Sequence, residues 1–385
     1  MPMRVIFSSR PAFGHVFAIA PLAAAVRDQG HDVVFASGES FLERLGIWGF
    51  ETRKVGEPIE WGFQRAASEF PELLEPERPE FGARMFTDVL GPRSYEDMST
   101  VIEETRPDML VYEATDVGAG VAAAAAGIPA VCHSLSLWMN EFIDGIADRL
   151  PFLWEKVGAT RSMDVSVGDS FVDIWPSSMQ AEDVAKRVVR HWLLRPVTWA
   201  DETAEVPEWI RDAKGPLVFV SLGTVFWGKE LLTKVIEGLT ELDCDALILA
   251  GVDATPDDFS IQSDRLHVTG FVNQAEILRH ADVVVHHGGA GTMLGSLAQG
   301  LPALVLAEGA DRPYTAASLA ASGAGISLQP RSATPESIAE AVSVLLEETG
   351  YRSRATEIKE EIAKMPSPHD VAARLTSLLG DAEEV

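Results

Sequence analysis

The chain is poor in positive charge, in cysteine and in long apolar runs. It carries 31 Lys and Arg against 58 Asp and Glu, a formal net charge of −27. A nucleic-acid partner needs basic patches, and so does an anionic membrane surface, so this balance speaks against both. The acidity reads as a solvated surface that keeps the protein soluble. No stretch reaches the roughly 18 apolar residues that a membrane span needs. The start, Met-Pro-Met-Arg-Val-Ile-Phe-Ser-Ser, is a short strand pattern and lacks the apolar core and cleavage site of a secretory leader. The 2 cysteines, Cys132 and Cys244, lie beside or inside apolar runs and read as reduced core residues of a cytoplasmic protein. Also missing after the first strand is the dinucleotide fingerprint G-x-G-x-x-G.

What is present is the length and apolar content of a two-domain protein: 385 residues, 46% hydrophobic. Strand and helix signals alternate. In the first half, Arg4–Ser9, Asp32–Ala36, Met109–Tyr112 and Ala130–Cys132 read as strands, and Phe17–Gln29 and Val117–Ala126 as helices. In the second, Leu217–Ser221, Ala246–Ala250, Leu266–Thr269, Val283–His287 and Ala303–Ala307 read as strands, with helices over Glu230–Glu241, Gln274–His280 and Met293–Gln299. Repeated βα units imply parallel sheets with right-handed crossovers. Leu194–Gly215, with Pro196 and Pro207, has the composition of a linker, and the proline- and aromatic-bearing stretch Val55–Arg93 that of a pocket-shaping excursion. Each sheet offers a crevice at its strand carboxyl ends, and a ligand lying between the domains would touch both.

The most informative stretch is Val-Val-Val-His-His-Gly-Gly-Ala-Gly-Thr at 283–292. A strand, a glycine turn and a helix N-terminus make an anion site, because first-turn N–H groups lack intrahelical partners and the macrodipole adds about half a positive charge. Glycine lets a phosphate approach the backbone, and His287 can donate a further hydrogen bond. A diphosphate is the expected ligand. At the end of the first strand, Gly14-His15-Val16 puts an imidazole where a helix begins. Held neutral, it can act as a general base, worth about 10²–10⁴-fold in rate. A carboxylate often orients such a base.

Gly14-His15-Val16, then Val220-Ser221-Leu222-Gly223-Thr224, then His286 to Thr292, then Gly300-Leu301-Pro302, Gly309-Ala310-Asp311 and Ser322-Gly323-Ala324-Gly325 occur in that order. The ordered set closely resembles the family 1 glycosyltransferases, nearest to the actinomycete enzymes that glycosylate natural products such as antibiotics. The resemblance covers nearly the whole chain. It implies a GT-B fold, two Rossmann-like parallel-sheet domains facing across a cleft. The expected division is an acceptor-binding domain over 1–200, a linker at 201–214, a nucleotide-sugar domain over 215–364, and a segment 365–385 whose helix, about Pro368–Leu379, returns to the first domain.

The same resemblance implies an inverting transferase that needs no metal and no cofactor beyond its nucleotide-sugar co-substrate. His15 would deprotonate the acceptor hydroxyl, with Glu113 matching the orienting aspartate by position and Asp116 in reserve. His287, Gly288, Gly289, Gly291 and Thr292 match the diphosphate clamp, Gly223 and Thr224 a second loop near the phosphates, and Phe271 and Val272 the base site. Asp311 is followed by Arg312 where the family often has Asp-Gln against the donor sugar. A planar cation there changes the donor and acceptor count. Trp61, Phe63, Phe86, Trp138, Met139, Phe142 and Trp154 are candidates for an aglycone pocket, since flat aromatic surfaces suit a hydrophobic small molecule.

The expected reaction is transfer of a deoxysugar from a thymidine diphosphate rather than a uridine diphosphate donor to a natural-product hydroxyl. Two other readings remain open: a nucleotide-sugar epimerase on the same fold, and a non-catalytic partner of another transferase. A homodimer is left open. His286 and His287 point to opposite faces of one strand, which disfavours a shared metal. His133, His191 and His267 read as structural.

Overall fold

The computed structural model describes residues 2–73, 79–160, 164–181, 184–199, 206–213, 215–223, 229–251, 255–259, 263–270 and 272–380. The chain divides into two units. Unit 1 takes the residues up to Arg195 together with those from Met365 onward, and unit 2 is Pro196–Lys364. The Arg195 N–H donates to the Pro366 carbonyl at 2.8 Å, so the chain leaves and re-enters unit 1 side by side. Within the segment expected as a linker, Glu208–Asp212 forms a short helix, and 201–205 and 214 lie outside the described residues.

Unit 1 is built on a sheet of β1 (Arg4–Ser8), β2 (Asp32–Ser37), β3 (Glu51–Lys54), β4 (Met109–Glu113), β5 (Ala130–His133), β6 (Ser170–Asp173) and β7 (His191–Leu193). The order is β3-β2-β1-β4-β5-β6-β7, and every neighbouring pair is parallel. Strands buried on both faces read as continuous apolar runs, which is why Met109-Leu110-Val111-Tyr112 shows no alternation. The order reverses between β1 and β4, which opens a crevice at their carboxyl ends.

Unit 2 repeats the plan with β8 (Leu217–Ser221), β9 (Asp245–Leu249), β10 (Leu266–Thr269), β11 (Val283–His286), β12 (Ala303–Leu306) and β13 (Gly325–Leu328). The order is β10-β9-β8-β11-β12-β13, again parallel, and it reverses between β8 and β11.

Two helices begin earlier than their periodicity suggests. The first runs Phe13–Asp28 after an extended Ala12 that makes no side-chain cap, so His15 lies inside its first turn. The helix after β11 runs Ala290–Ala298 from Gly289 at its N-cap, so Gly291 and Thr292 are first-turn residues. In contrast, the Gln274 helix stops at Ile277, one turn long. The Val117–Ala126 helix has its expected bounds, and its small residues serve a close crossing: a Cβ on Gly118 would stand 2.1 Å from the Gly91 carbonyl oxygen, on the Gly91–Thr105 helix. Just before that helix, Met85–Leu90 forms a π-helical turn. The last helix, Pro368–Gly380, belongs to unit 1, where Gln29 Nε2 donates to the His369 carbonyl at 2.7 Å. Among the described residues no helix is long and apolar enough to cross a membrane.

Candidate active site

In unit 1 the reversal between β1 and β4 collects the polar side chains. β1 delivers the chain to the Phe13–Asp28 helix and hence to His15, and β4 ends in Glu113, which is 0% exposed. His15 Nδ1 lies 3.0 Å from Glu113 Oε1, and the imidazole keeps 15% of its side-chain surface. Thr115 closes the arrangement. Its hydroxyl donates to Glu113 Oε1, its N–H donates to Oε2 at 3.0 Å, and Oγ1 lies 3.4 Å from His15 Nδ1. Burial alone would raise the Glu113 pKa, but His15 and the two Thr115 donors outweigh it and bring it to about 2. Glu113 is therefore a carboxylate, and His15 Nδ1 carries the proton that points at it. The Nε2 lone pair is left as the basic one.

Asp116 is engaged elsewhere. It accepts from Ser8 Oγ at 2.5 Å and from Ser94 Oγ, and pairs with Arg10 at 3.1 Å. Arg10, 1% exposed, also donates to the Thr115 carbonyl at 3.3 Å. Of the two candidates for holding His15, the geometry places Glu113 against the imidazole and Asp116 in a buried network behind the loop.

The aromatic candidates separate in the same way. The π-helical turn carries Phe86, whose ring centroid is 6.5 Å from that of His15, and Phe142 meets Phe86 edge-on at 6.2 Å. Phe63 packs on Phe81 at 5.3 Å, in the small core that also holds Phe86. Met139 is half-buried at the N-cap of the Asn140–Lys156 helix, and Trp61 lies at the surface. Trp138 and Trp154 are core residues; Trp138 donates to Asn140 Oδ1 at 2.8 Å and stands edge-on to Phe171.

The histidines read as structural have partners in the fold. His191 Nε2 lies 3.0 Å from Asp173 Oδ2, and His267 stacks on Trp209 at 4.0 Å. His133, beside Glu113 on the next strand, donates from Nδ1 to the Ser134 carbonyl at 2.7 Å. Burial outweighs its neighbours Glu113 and Asp173 and holds its pKa at about 4, so it is neutral.

In unit 2 the reversal between β8 and β11 collects the glycine turns. Gly223 follows β8 with a φ of 85°, and Gly288 follows β11 with a φ of 92°; only glycine takes such values without strain. The His287 ring packs close against two glycines. A Cβ would come within 2.8 Å of it at Gly223 and 2.6 Å at Gly289. First-turn N–H groups of Ala290, Gly291 and Thr292 have no intrahelical acceptor. Gly288 N–H, by contrast, donates to His286 Nδ1 at 3.1 Å, so Gly288 supplies conformation rather than a free donor. Burial, with a smaller part from His287, lowers the His286 pKa to about 3 and keeps that template uncharged.

His287 Nδ1 faces the Ser221 carbonyl at 3.5 Å. Burial and Arg312 lower its pKa to about 4 against the Ser221 contact. A neutral imidazole has one N–H to donate, and protonation gives it a second. Arg312, 7% exposed, donates from Nε to the Gly309 carbonyl at 3.1 Å and begins the Arg312–Ser322 helix, of which Asp311 is the N-cap. Thr315 Oγ1 donates to the Gly288 carbonyl at 2.7 Å and ties that helix to the turn. Thr292 Oγ1 reaches Gln274 Oε1 at 3.4 Å, joining the turn to the loop that holds the buried Val272. Thr224 and Phe271 lie outside the described residues.

Comparison with known proteins follows this geometry. Residues 24–223 match the model of the erythromycin biosynthesis protein CIII-like N-terminal domain, and residues 233–378 that of the C-terminal domain. A 3-alpha-mycarosylerythronolide B desosaminyl transferase of Saccharopolyspora erythraea is 26% identical, over 99% of this chain and 100% of its own. An aclacinomycin-T 2-deoxy-L-fucose transferase of Streptomyces galilaeus is 27% identical, over 98% and 97%. Among solved structures, the spinosyn rhamnosyltransferase SpnG complexed with thymidine diphosphate superposes with a TM-score of 0.81 at 23% identity, over 98% of this chain and 100% of that one. The chain belongs to the erythromycin biosynthesis protein CIII-like family, the actinomycete natural-product branch of the family 1 glycosyltransferases, and has their GT-B class of fold.

Proposed function

We propose that this chain transfers a deoxysugar from a thymidine diphosphate donor to a hydroxyl group of a hydrophobic natural-product aglycone, with inversion and without a metal. The observation that carries the reading is the His15–Glu113 pair at the β1/β4 reversal. Glu113 holds the proton on Nδ1, and Nε2 takes the acceptor hydroxyl proton as the oxygen attacks the anomeric carbon. The nucleoside diphosphate leaves from the opposite face, and its charge is met by the N–H groups of the Ala290–Ala298 helix and by His287. Phe86, beside His15, and Phe142, packed edge-on against Phe86, form an apolar wall for the acceptor. The names of the family relatives, and the thymidine diphosphate in the SpnG complex, support the donor class.

The test is His15→Ala assayed with thymidine diphosphate sugars and a panel of polyketide and phenolic acceptors, with binding of thymidine diphosphate measured by calorimetry. Turnover is expected to fall by about 10²–10⁴-fold while nucleotide affinity stays within about twofold. Wild-type turnover in that variant, or conversion of the donor with no acceptor present, sinks the reading; the second result is what an epimerase would give.

A further inference from the structure

Resting on that reading, we propose that Thr115 is a positioning residue for sugar transfer: its hydroxyl and amide lock the Glu113 carboxylate into the one orientation that fixes the proton on His15 Nδ1 and leaves Nε2 as the base.

Three donors serve two carboxylate oxygens. His15 Nδ1 (3.0 Å) and Thr115 Oγ1 share Oε1, and Thr115 N–H (3.0 Å) takes Oε2. A glutamate has one more torsion to fix than an aspartate, and a carboxylate held by His15 alone could rotate about its last bond. Two donors from one residue remove that freedom. They also spread the anionic charge, so that the carboxylate accepts a hydrogen bond from His15 without taking its proton.

Thr115 is itself held from behind. Its carbonyl accepts from Arg10 Nη2, and Arg10 pairs with Asp116, which also accepts from Ser8 and Ser94. A buried ion pair is poor evidence for stability, because desolvation offsets the attraction. Here it fixes a stretch of four residues, Glu113 to Asp116, whose two carboxylates have opposite duties. Among the described residues, the groups facing the dyad are these. Glu113 comes from β4, and next to it on β5 stand a neutral His133 and Cys132, whose thiol burial and Glu113 keep protonated. Arg10 and Asp116 compensate each other behind Thr115, and Phe86 stands 6.5 Å from the imidazole.

The experiment reads the imidazole directly. The full chain is labelled with ¹⁵N-histidine, His15 is assigned against His15→Ala, and its nitrogen shifts are followed across pH in Thr115→Val and Thr115→Ser. Thr115→Ala serves as a second hydroxyl-free variant should the valine form not fold. Without the hydroxyl the carboxylate is a stronger partner for the imidazolium, so the His15 midpoint rises by about half a pH unit or more. The serine variant stays within about 0.2 pH unit of the wild type. In parallel, kcat falls by about 10-fold in the valine variant with KM for the nucleotide sugar unchanged, and serine restores it. Identical titrations in valine and wild type overturn the proposal. So does an equal shift in serine, which would assign the effect to packing. Should His15→Ala retain full turnover, the sugar-transfer reading fails while the titration still decides the role of Thr115 in orienting His15.

Discussion

Glu113 Oε1 stands 3.0 Å from His15 Nδ1, although 98 positions separate the two residues in the chain. The parallel register of β1 and β4 makes the meeting, since it sets Ser8 opposite Tyr112 and brings both strand ends to one edge.

That distance gives the first expectation. Glu113→Gln keeps the shape and removes the charge that would stabilise the imidazolium formed in the proposed reaction. kcat is expected to fall by about 10²–10⁴-fold with little change in KM for the nucleotide sugar. Glu113→Asp withdraws the carboxylate by one methylene from both His15 and Thr115 and should lose most of the activity too. Steady-state kinetics decide it, and a fully active glutamine variant would remove Glu113 from the site.

Unit 2 gives the second. Gly289→Ala places a methyl 2.6 Å from His287 Nε2, and a Cβ at Gly223 would crowd the same ring at 2.8 Å. The ring must leave its seat or the turn must open. Binding of thymidine diphosphate should weaken by about 10-fold or more, roughly 1.4 kcal/mol, with the thermal melt of the protein little changed. An unaltered affinity by calorimetry would show that the nucleotide is held elsewhere.

The third concerns protons. His287 in the free protein has its pKa lowered to about 4 from the ordinary 6.5, first by burial and then by Arg312. A bound diphosphate favours the charged ring and raises that value. Between the two, binding takes up a proton. Affinity therefore falls as pH climbs through the raised pKa and levels off above it. Calorimetry in buffers of different ionisation enthalpy should find proton uptake near neutral pH in the wild type and less in His287→Gln. Equal uptake in both would locate the proton on the nucleotide alone.

The fourth is about stability. Gly118→Ala puts a Cβ 2.1 Å from the Gly91 carbonyl oxygen, where backbone rather than a yielding side chain stands in the way. A loss of about 1–3 kcal/mol is expected from denaturant unfolding, and kcat should fall as well, because the Val117–Ala126 helix starts at Asp116. A variant as stable as wild type would mean the two helices part without cost.

Much of this was legible in the sequence, and the reasons are physical. Val283 to Thr292 and Val117 to Ala126 carry local signals, β-branched runs and glycine stops, that tertiary packing had no reason to override. The Phe13–Asp28 and Ala290–Ala298 helices start earlier than periodicity shows because neither has a side-chain cap to announce it. The π-helical turn that carries Phe86 has no residue pattern of its own. A threonine two residues after a carboxylate is ordinary in sequence; only its hydrogen bonds to Glu113 give Thr115 meaning. The contact of His287 Nδ1 with a carbonyl 66 residues away is likewise not visible in spacing along the chain.

The hydrogen bond from Arg195 to Pro366 has a practical corollary. Both crossings between the units pass through neighbouring points, so everything from Pro196 to Lys364 is an insert with its ends already together. A cassette of that kind can be excised or exchanged through two adjacent cuts that sever neither sheet. On the proposed reading, grafting the corresponding segment of a relative onto this stem should change the nucleotide sugar while keeping His15, Glu113 and Thr115 as they are.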